Sequence, residues 1–150
     1  MSTTCRIVSV EPVLLAVTEA ELARTEIPLR IRGMFDTVYS WLKHASVRQI
    51  GHNYALYDKG SKGGLLVQVG FPVSSNFPAT ASVRPLELSA GRAASALHVG
   101  AYSELHRTYA ELGFWCKREG LQVASQSWEI YGDWHEDVSK LETEIWFRLQ

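Results

Sequence analysis

Two segments near the end of the chain, Trp128-Glu129-Ile130-Tyr131 and Thr143-Glu144-Ile145-Trp146-Phe147-Arg148-Leu149, set carboxylates among aromatic residues. On an extended strand alternate residues share a face, so Glu129 goes with Tyr131, and Glu144 goes with Trp146 and Arg148. If the two strands pair as a hairpin, both glutamates are expected on one aromatic-lined face. A carboxylate in such a place is costly unless it is paired, protonated or offered to a cation. The chemistry open to it is therefore capture of a cation, or positioning and activation of water. The simpler reading is a solvated sheet face, because most charged strand residues are exposed. The spacing alone leaves both open.

Other chemistries find less support. His98 and His106 flank a helix start near Glu104, and His135 lies beside Glu136 and Asp137, but none has the spacing usual for a zinc site. No metal or other cofactor is expected. Gly60-Ser61-Lys62-Gly63-Gly64 lacks the spacing of a phosphate-binding loop and reads as a turn. There is no Gly-x-Ser-x-Gly elbow, and Cys116, on the apolar side of a helix, reads as core. Cys5 and Cys116 form no metal or redox spacing, which fits a reduced, cytoplasmic setting.

The elements that must carry the two acidic segments can be read from periodicity. Ile7 to Val17 is β-rich and interrupted at Pro12, giving a first strand with a bulge or edge position. Ile31, Met34, Phe35, Val38, Trp41, Leu42 and Ala45 follow one helical face. Tyr54–Tyr57 and Leu65–Val69 form a hairpin around the glycine-rich turn, and Ser74–Ser82 is a connecting loop. The order then repeats: a strand over Arg92–Val99, a helix marked by Leu105, Tyr109, Leu112 and Cys116 and closed by Gly120, then strands at Trp128–Tyr131 and Thr143–Leu149.

Tyr54-Ala55-Leu56-Tyr57 overlays Trp128-Glu129-Ile130-Tyr131, and Gln68-Val69-Gly70-Phe71 overlays Glu144-Ile145-Trp146-Phe147. The chain is thus read as one domain, 1–150, built from pseudo-repeats at about 5–75 and 83–150, with a ligand cleft expected between them. Ala55 and Gln68 stand where the second repeat has Glu129 and Glu144, so the acids belong to one repeat only.

Composition narrows the function classes. The chain has 150 residues, 46% of them apolar and 21% charged, enough for one ordinary core without disulfide or metal. Fifteen Lys and Arg against sixteen Asp and Glu leave a net charge of −1, too little basicity for binding nucleic acid through phosphates. The first 75 residues carry eight basic and six acidic groups, the rest seven and ten. The apolar run Val13–Val17 is far short of a membrane span, so the protein is expected to be soluble and without a membrane partner. Five Trp among sixteen aromatic residues are the one excess: Trp41 and Trp115 are assigned to helices and core, Trp146 to a cleft.

Leu88-Ser89-Ala90-Gly91-Arg92, His98-Val99-Gly100-Ala101-Tyr102, Trp128-Glu129-Ile130-Tyr131 and Thr143-Glu144-Ile145-Trp146-Phe147-Arg148-Leu149, in that order, resemble the GyrI-like small-molecule-binding domain. That is also the effector-binding domain of multidrug-responsive AraC-type and MerR-type activators. Ser89 and Ala101 depart from it, standing where the family commonly has proline. The resemblance implies an α+β fold of duplicated βαββ units, with a curved antiparallel sheet, two main helices and a central cleft. It also implies a buried glutamate that meets cationic aromatic ligands. By motif position that residue is Glu129, with Glu144 as a second acid and Tyr131, Trp146 and Tyr54 as aromatic walls.

Because its first strand begins so near the N-terminus, the chain is read as a stand-alone member without the activators' DNA-binding domain. Its expected function is binding of small lipophilic, aromatic or cationic molecules. The resemblance leaves two alternatives: hydrolysis of cyclopropane-bearing or related electrophiles with Glu129 or Glu144 positioning or activating water, and protein interaction of the gyrase-inhibitor type. Whether the chain is an enzyme, and which protein partner it has, stay open at this level.

Overall fold

A computed structural model describes residues 3–150. It has two compact units: an inserted unit, Pro12–Ser89, and a flanking unit made of the chain through Glu11 together with Ala90–Gln150. Each carries a four-stranded antiparallel sheet and one main helix, the α+β class expected from the sequence. Among the described residues no helix is long and apolar enough to cross a membrane.

In the inserted unit β2 (Val13–Leu22) leads to α1 (Ile27–Leu42), followed by the hairpin β3 (Tyr54–Lys59) and β4 (Leu65–Pro72) and a short strand β5 (Arg84–Leu88). The sheet order is β3-β4-β2-β5. In the flanking unit β6 (Gly91–Val99), α2 (Leu105–Arg118), β7 (Val123–Tyr131) and β8 (Glu142–Leu149) repeat the pattern, and β1 (Cys5–Val10) lies against β6, giving the order β1-β6-β8-β7.

The first strand expected from sequence is therefore two strands. Pro12, with no N–H to give, falls between β1 and β2, which belong to different units. The short β5 has no counterpart in the sequence reading, because Pro85 argues against a strand. At the edge of a sheet, where Pro85 stands opposite Ala16, the missing N–H is tolerated.

One face of each sheet packs on its helix. Ala16 and Phe71 form a buried cluster with Val38 of α1, with Trp41 and Leu42 against it. Ala94, Ala96 and Ile145 do the same with Leu112 and Cys116 of α2, with Trp115 and Tyr109 against them. The helical spacing Leu105, Tyr109, Leu112, Cys116 is what places those side chains inward. The helix α2 ends as expected at Gly120, whose φ is +69°. Its N–H donates to the Lys117 carbonyl, and the Leu121 N–H donates to the Cys116 carbonyl.

The repeat overlay holds at the level of strand register. Tyr54, Ala55 and Leu56 stand opposite Gly70, Val69 and Gln68, and Trp128, Glu129 and Ile130 stand opposite Trp146, Ile145 and Glu144. Gly70 and Trp146 differ for a local reason. A Cβ at Gly70 would lie 1.7 Å from the Ala16 carbonyl oxygen, so no side chain fits there.

Candidate functional site

The register overturns one expectation. Residues directly opposite in an antiparallel pair share a face. Glu129 pairs with Ile145 and Glu144 pairs with Ile130, so the two glutamates lie on opposite faces of the flanking sheet. Glu129, Tyr131, Thr143, Ile145 and Phe147 share the face that packs on α2. Trp128, Ile130, Glu144, Trp146 and Arg148 share the other. In the inserted unit Tyr54 stands with Leu56 and Gln68, on the face turned from the α1 cluster. The expected grouping of Glu129 and Tyr131 with Glu144 and Trp146 on one face thus reduces to Glu129 and Tyr131.

Glu129 is only 6% exposed. The Tyr131 hydroxyl donates to its Oε1 and the Tyr109 hydroxyl to its Oε2, so donors from β7 and from α2 hold both oxygens. Hydrogen bonds to an ionised acceptor are the stronger kind and offset part of the cost of removing a carboxylate from water. The rings continue outward. Tyr102, in the turn before α2, meets Tyr131 edge-on at 5.8 Å between centroids, and Tyr109 lies 5.8 Å from Phe147. Burial pushes the Tyr102 phenol above its ordinary pKa. The resulting constellation is one carboxylate within an array of half-buried aromatic rings, with Tyr102 exposed at its rim.

The sequence marks Tyr109 only as part of the apolar face of the second helix and gives Tyr102 no role beyond its motif. The signal for Tyr109 was present: a tyrosine on an inward helical face carries a hydroxyl that needs a partner. The end of this face is fixed by His98. Its Nε2–H donates to the Ala101 carbonyl at 2.9 Å, and its Nδ1 accepts the Thr108 hydroxyl at 2.7 Å. His98 thereby ties β6 to the turn that presents Tyr102 and to the second turn of α2.

On the opposite face Trp128 and Trp146 stack with centroids 5.8 Å apart and planes 11° from parallel. The Trp146 Nε1–H donates to Glu144 Oε1 at 3.1 Å, and the Arg148 guanidinium lies 5.0 Å from the Trp128 ring centre. Trp128 is 1% exposed. Glu144 here anchors an indole within a packed aromatic and cationic stack.

A family model described as the GyrI-like small molecule binding domain matches residues 3–150. Among solved structures, the EcmrR C-terminal domain superimposes with a TM-score of 0.87 at 18% identity, over 100% of this chain and 99% of that one. Against EcmrR in its DNA complex the TM-score is 0.85 at 17% identity, and the match spans 57% of that longer chain. The structure of SAV2435 bound to tetraphenylphosphonium matches with a TM-score of 0.72 at 13% identity, over 100% of this chain and 94% of that one. A hydrolase from Listeria innocua matches with a TM-score of 0.67 at 13% identity, over 99% and 93% of the two chains. A search of curated proteins by sequence finds no match.

Proposed function

The chain belongs to the GyrI-like small-molecule-binding family, and from that premise we propose that it takes up lipophilic aromatic cations at Glu129, among the rings of Tyr131, Tyr109 and Tyr102. The observation that carries this reading is the carboxylate itself: 6% exposed, on the helix-bearing face, with both oxygens held by phenols. A buried carboxylate gains most from a cation that itself loses little hydration on entering. A delocalised organic cation meets that condition, and each ring face it touches adds roughly 0.5 to 2 kcal/mol. Rings impose shape rather than hydrogen-bond direction, so a broad ligand range follows.

Hydrolysis draws less support from the same geometry. A water activated by Glu129 must give a proton to an oxygen that already accepts a phenolic one. Capture therefore fits better than base catalysis.

Tetraphenylphosphonium, seen on a structural neighbour, is the natural probe, with neutral triphenylphosphine oxide as its control. Calorimetry is expected to show a preference for the cation that Glu129→Gln abolishes, with a loss of about tenfold or more in cation affinity. Equal cation affinity in the parent and Glu129→Gln would remove Glu129 from the site.

A further inference from the structure

The strand β2 is ten residues long, but β5 covers only Val13–Val17 of it. Its other edge pairs with β4 through Leu22, so from Thr18 onward β2 presents a bare line of backbone donors and acceptors on the β5 side. The equivalent strand β6 is covered by β1 from Gly91 to Ala96, leaving only Leu97–Val99 bare. The lane beside Thr18 is empty because the chain entering β5 turns away there. The Thr80 N–H donates to the Val83 carbonyl at 2.8 Å, and the Val83 N–H donates to the Thr80 hydroxyl at 3.1 Å. A small cavity of about 120 Å³, lined by Thr18, Glu19, Ser82 and Arg84, marks where the lane begins.

Alongside it, a cavity of about 370 Å³ runs between the bare edge and α1, lined by Thr18, Ala20, Leu29, Arg30, Gly33 and Met34. Thr18 and Ala20 share the helix-facing side of β2 with Ala16, and being small they leave the groove deep. Gly33 leaves it wide, since a Cβ there would meet nothing within 4 Å. Leu29 is 83% exposed at the rim. Arg30 is exposed and has no ion pair among the described residues, whereas Glu19 is held by Arg84 at 2.7 Å and by Gln68 at 3.1 Å. The open charge in the groove is positive.

We propose that the bare edge of β2 from Thr18 to Glu21, with the groove beside α1, docks an extended segment of a partner protein that adds as a strand, its groove-facing positions carrying apolar side chains and one carboxylate that reaches Arg30, and the positions between them, beside Glu19 and Glu21, uncharged. Backbone hydrogen bonds hold the segment, and the small walls of Thr18, Ala20 and Gly33 select its apolar positions. A second copy of this chain does not suit the edge. Antiparallel self-pairing centred on Glu19, Ala20 or Glu21 sets a glutamate opposite a glutamate each time. The site lies in the inserted unit and makes no use of Glu129.

The test titrates the full chain with the capped peptide Val-Thr-Val-Thr-Asp, whose groove-facing positions are valine, valine and aspartate, using the counterpart with lysine in place of aspartate as control. Amide shifts and hydrogen exchange are followed by NMR. The aspartate peptide is expected to shift and protect amides within Thr18–Glu21, and Arg30→Glu to weaken it about tenfold while reversing the preference toward the lysine peptide. Gly33→Leu fills the groove with a better helix former and should abolish binding with an unchanged far-UV spectrum. Three results would overturn the proposal: no shift in Thr18–Glu21 at millimolar peptide, an Arg30→Glu protein with the parent's preference, or protection of those amides by self-association without peptide.

Discussion

At the scale of single residues, the site turns on what holds a charge in a poorly hydrated place. Glu129 has two phenolic donors from two different elements, and the two substitutions that disturb this arrangement should act differently. Glu129→Gln removes the charge but keeps the shape, and the Tyr131 and Tyr109 hydroxyls can rotate to accept from the amide. The fold is expected to survive while the cation preference disappears. Tyr109→Phe keeps the ring and removes one donor from a buried carboxylate, which costs about 1–3 kcal/mol in urea unfolding. Cation affinity should nevertheless be retained, because the charge and the ring remain. If Tyr109→Phe lost affinity as sharply as Glu129→Gln, the hydroxyl rather than the charge would be the recognition element. That Glu129 is a candidate was legible from its motif. That Tyr109 holds it was not, because its spacing shows that the hydroxyl needs a buried partner but not which one.

At the scale of elements, the repeat was legible and the faces were not. The tetrapeptide overlay matches the observed register residue for residue, because strand alternation and hairpin pairing are local. Which residues stand opposite across β7 and β8 depends instead on the connection 132–141, and a one-residue change there exchanges every side chain between faces. Glu144 and Trp146 were grouped with Glu129 for want of that register. The hairpin of the inserted unit shows a further feature absent from periodicity. Glu21 of β2 accepts the N–H groups of Ser61 and Lys62, both at 2.7 Å, and so clamps the β3–β4 turn. Burial pushes its carboxyl up, but the bonds from Lys62, Ser61 and Gly64 together outweigh that and hold it below its ordinary value. A carboxyl lowered on folding stabilises above its unfolded pKa, and that contribution is lost as pH falls through the folded one. Glu21→Gln should therefore melt below the parent near neutrality, with the gap closing on acidification below 4.5. Melting curves against pH check this, and a gap of constant size would rule out the clamp.

At the scale of the whole molecule, the two units carry equivalent aromatic constellations, and only the flanking one has an acid at the shared position. Tyr39 meets Phe71 at 5.3 Å with planes 32° apart, as Tyr109 meets Phe147 at 5.8 Å with planes 34° apart, and Phe71 and Phe147 are equivalent in the overlay. Tyr57 is the equivalent of Tyr131 by the same overlay. Ala55, fully buried, stands in place of Glu129, and the Tyr39 hydroxyl donates instead to the Asn53 side chain at 2.9 Å. If rings alone captured the ligand, each repeat would hold one. If the carboxylate is required, the chain holds one in all, since ring faces without a counter-charge leave the cation's charge only partly compensated in a poorly hydrated place. Calorimetry with tetraphenylphosphonium should accordingly give one cation per chain, and Glu129→Gln should remove that event rather than halve the signal. Placing an acid in the other repeat by Ala55→Glu should not create a second site. Its carboxylate would enter a fully buried position where Tyr39 already has a partner, destabilising the fold by about 3 kcal/mol or more, a penalty that shrinks as pH falls and the acid is protonated. Two equivalent cations per parent chain would show that the rings suffice and that Glu129 only tunes affinity.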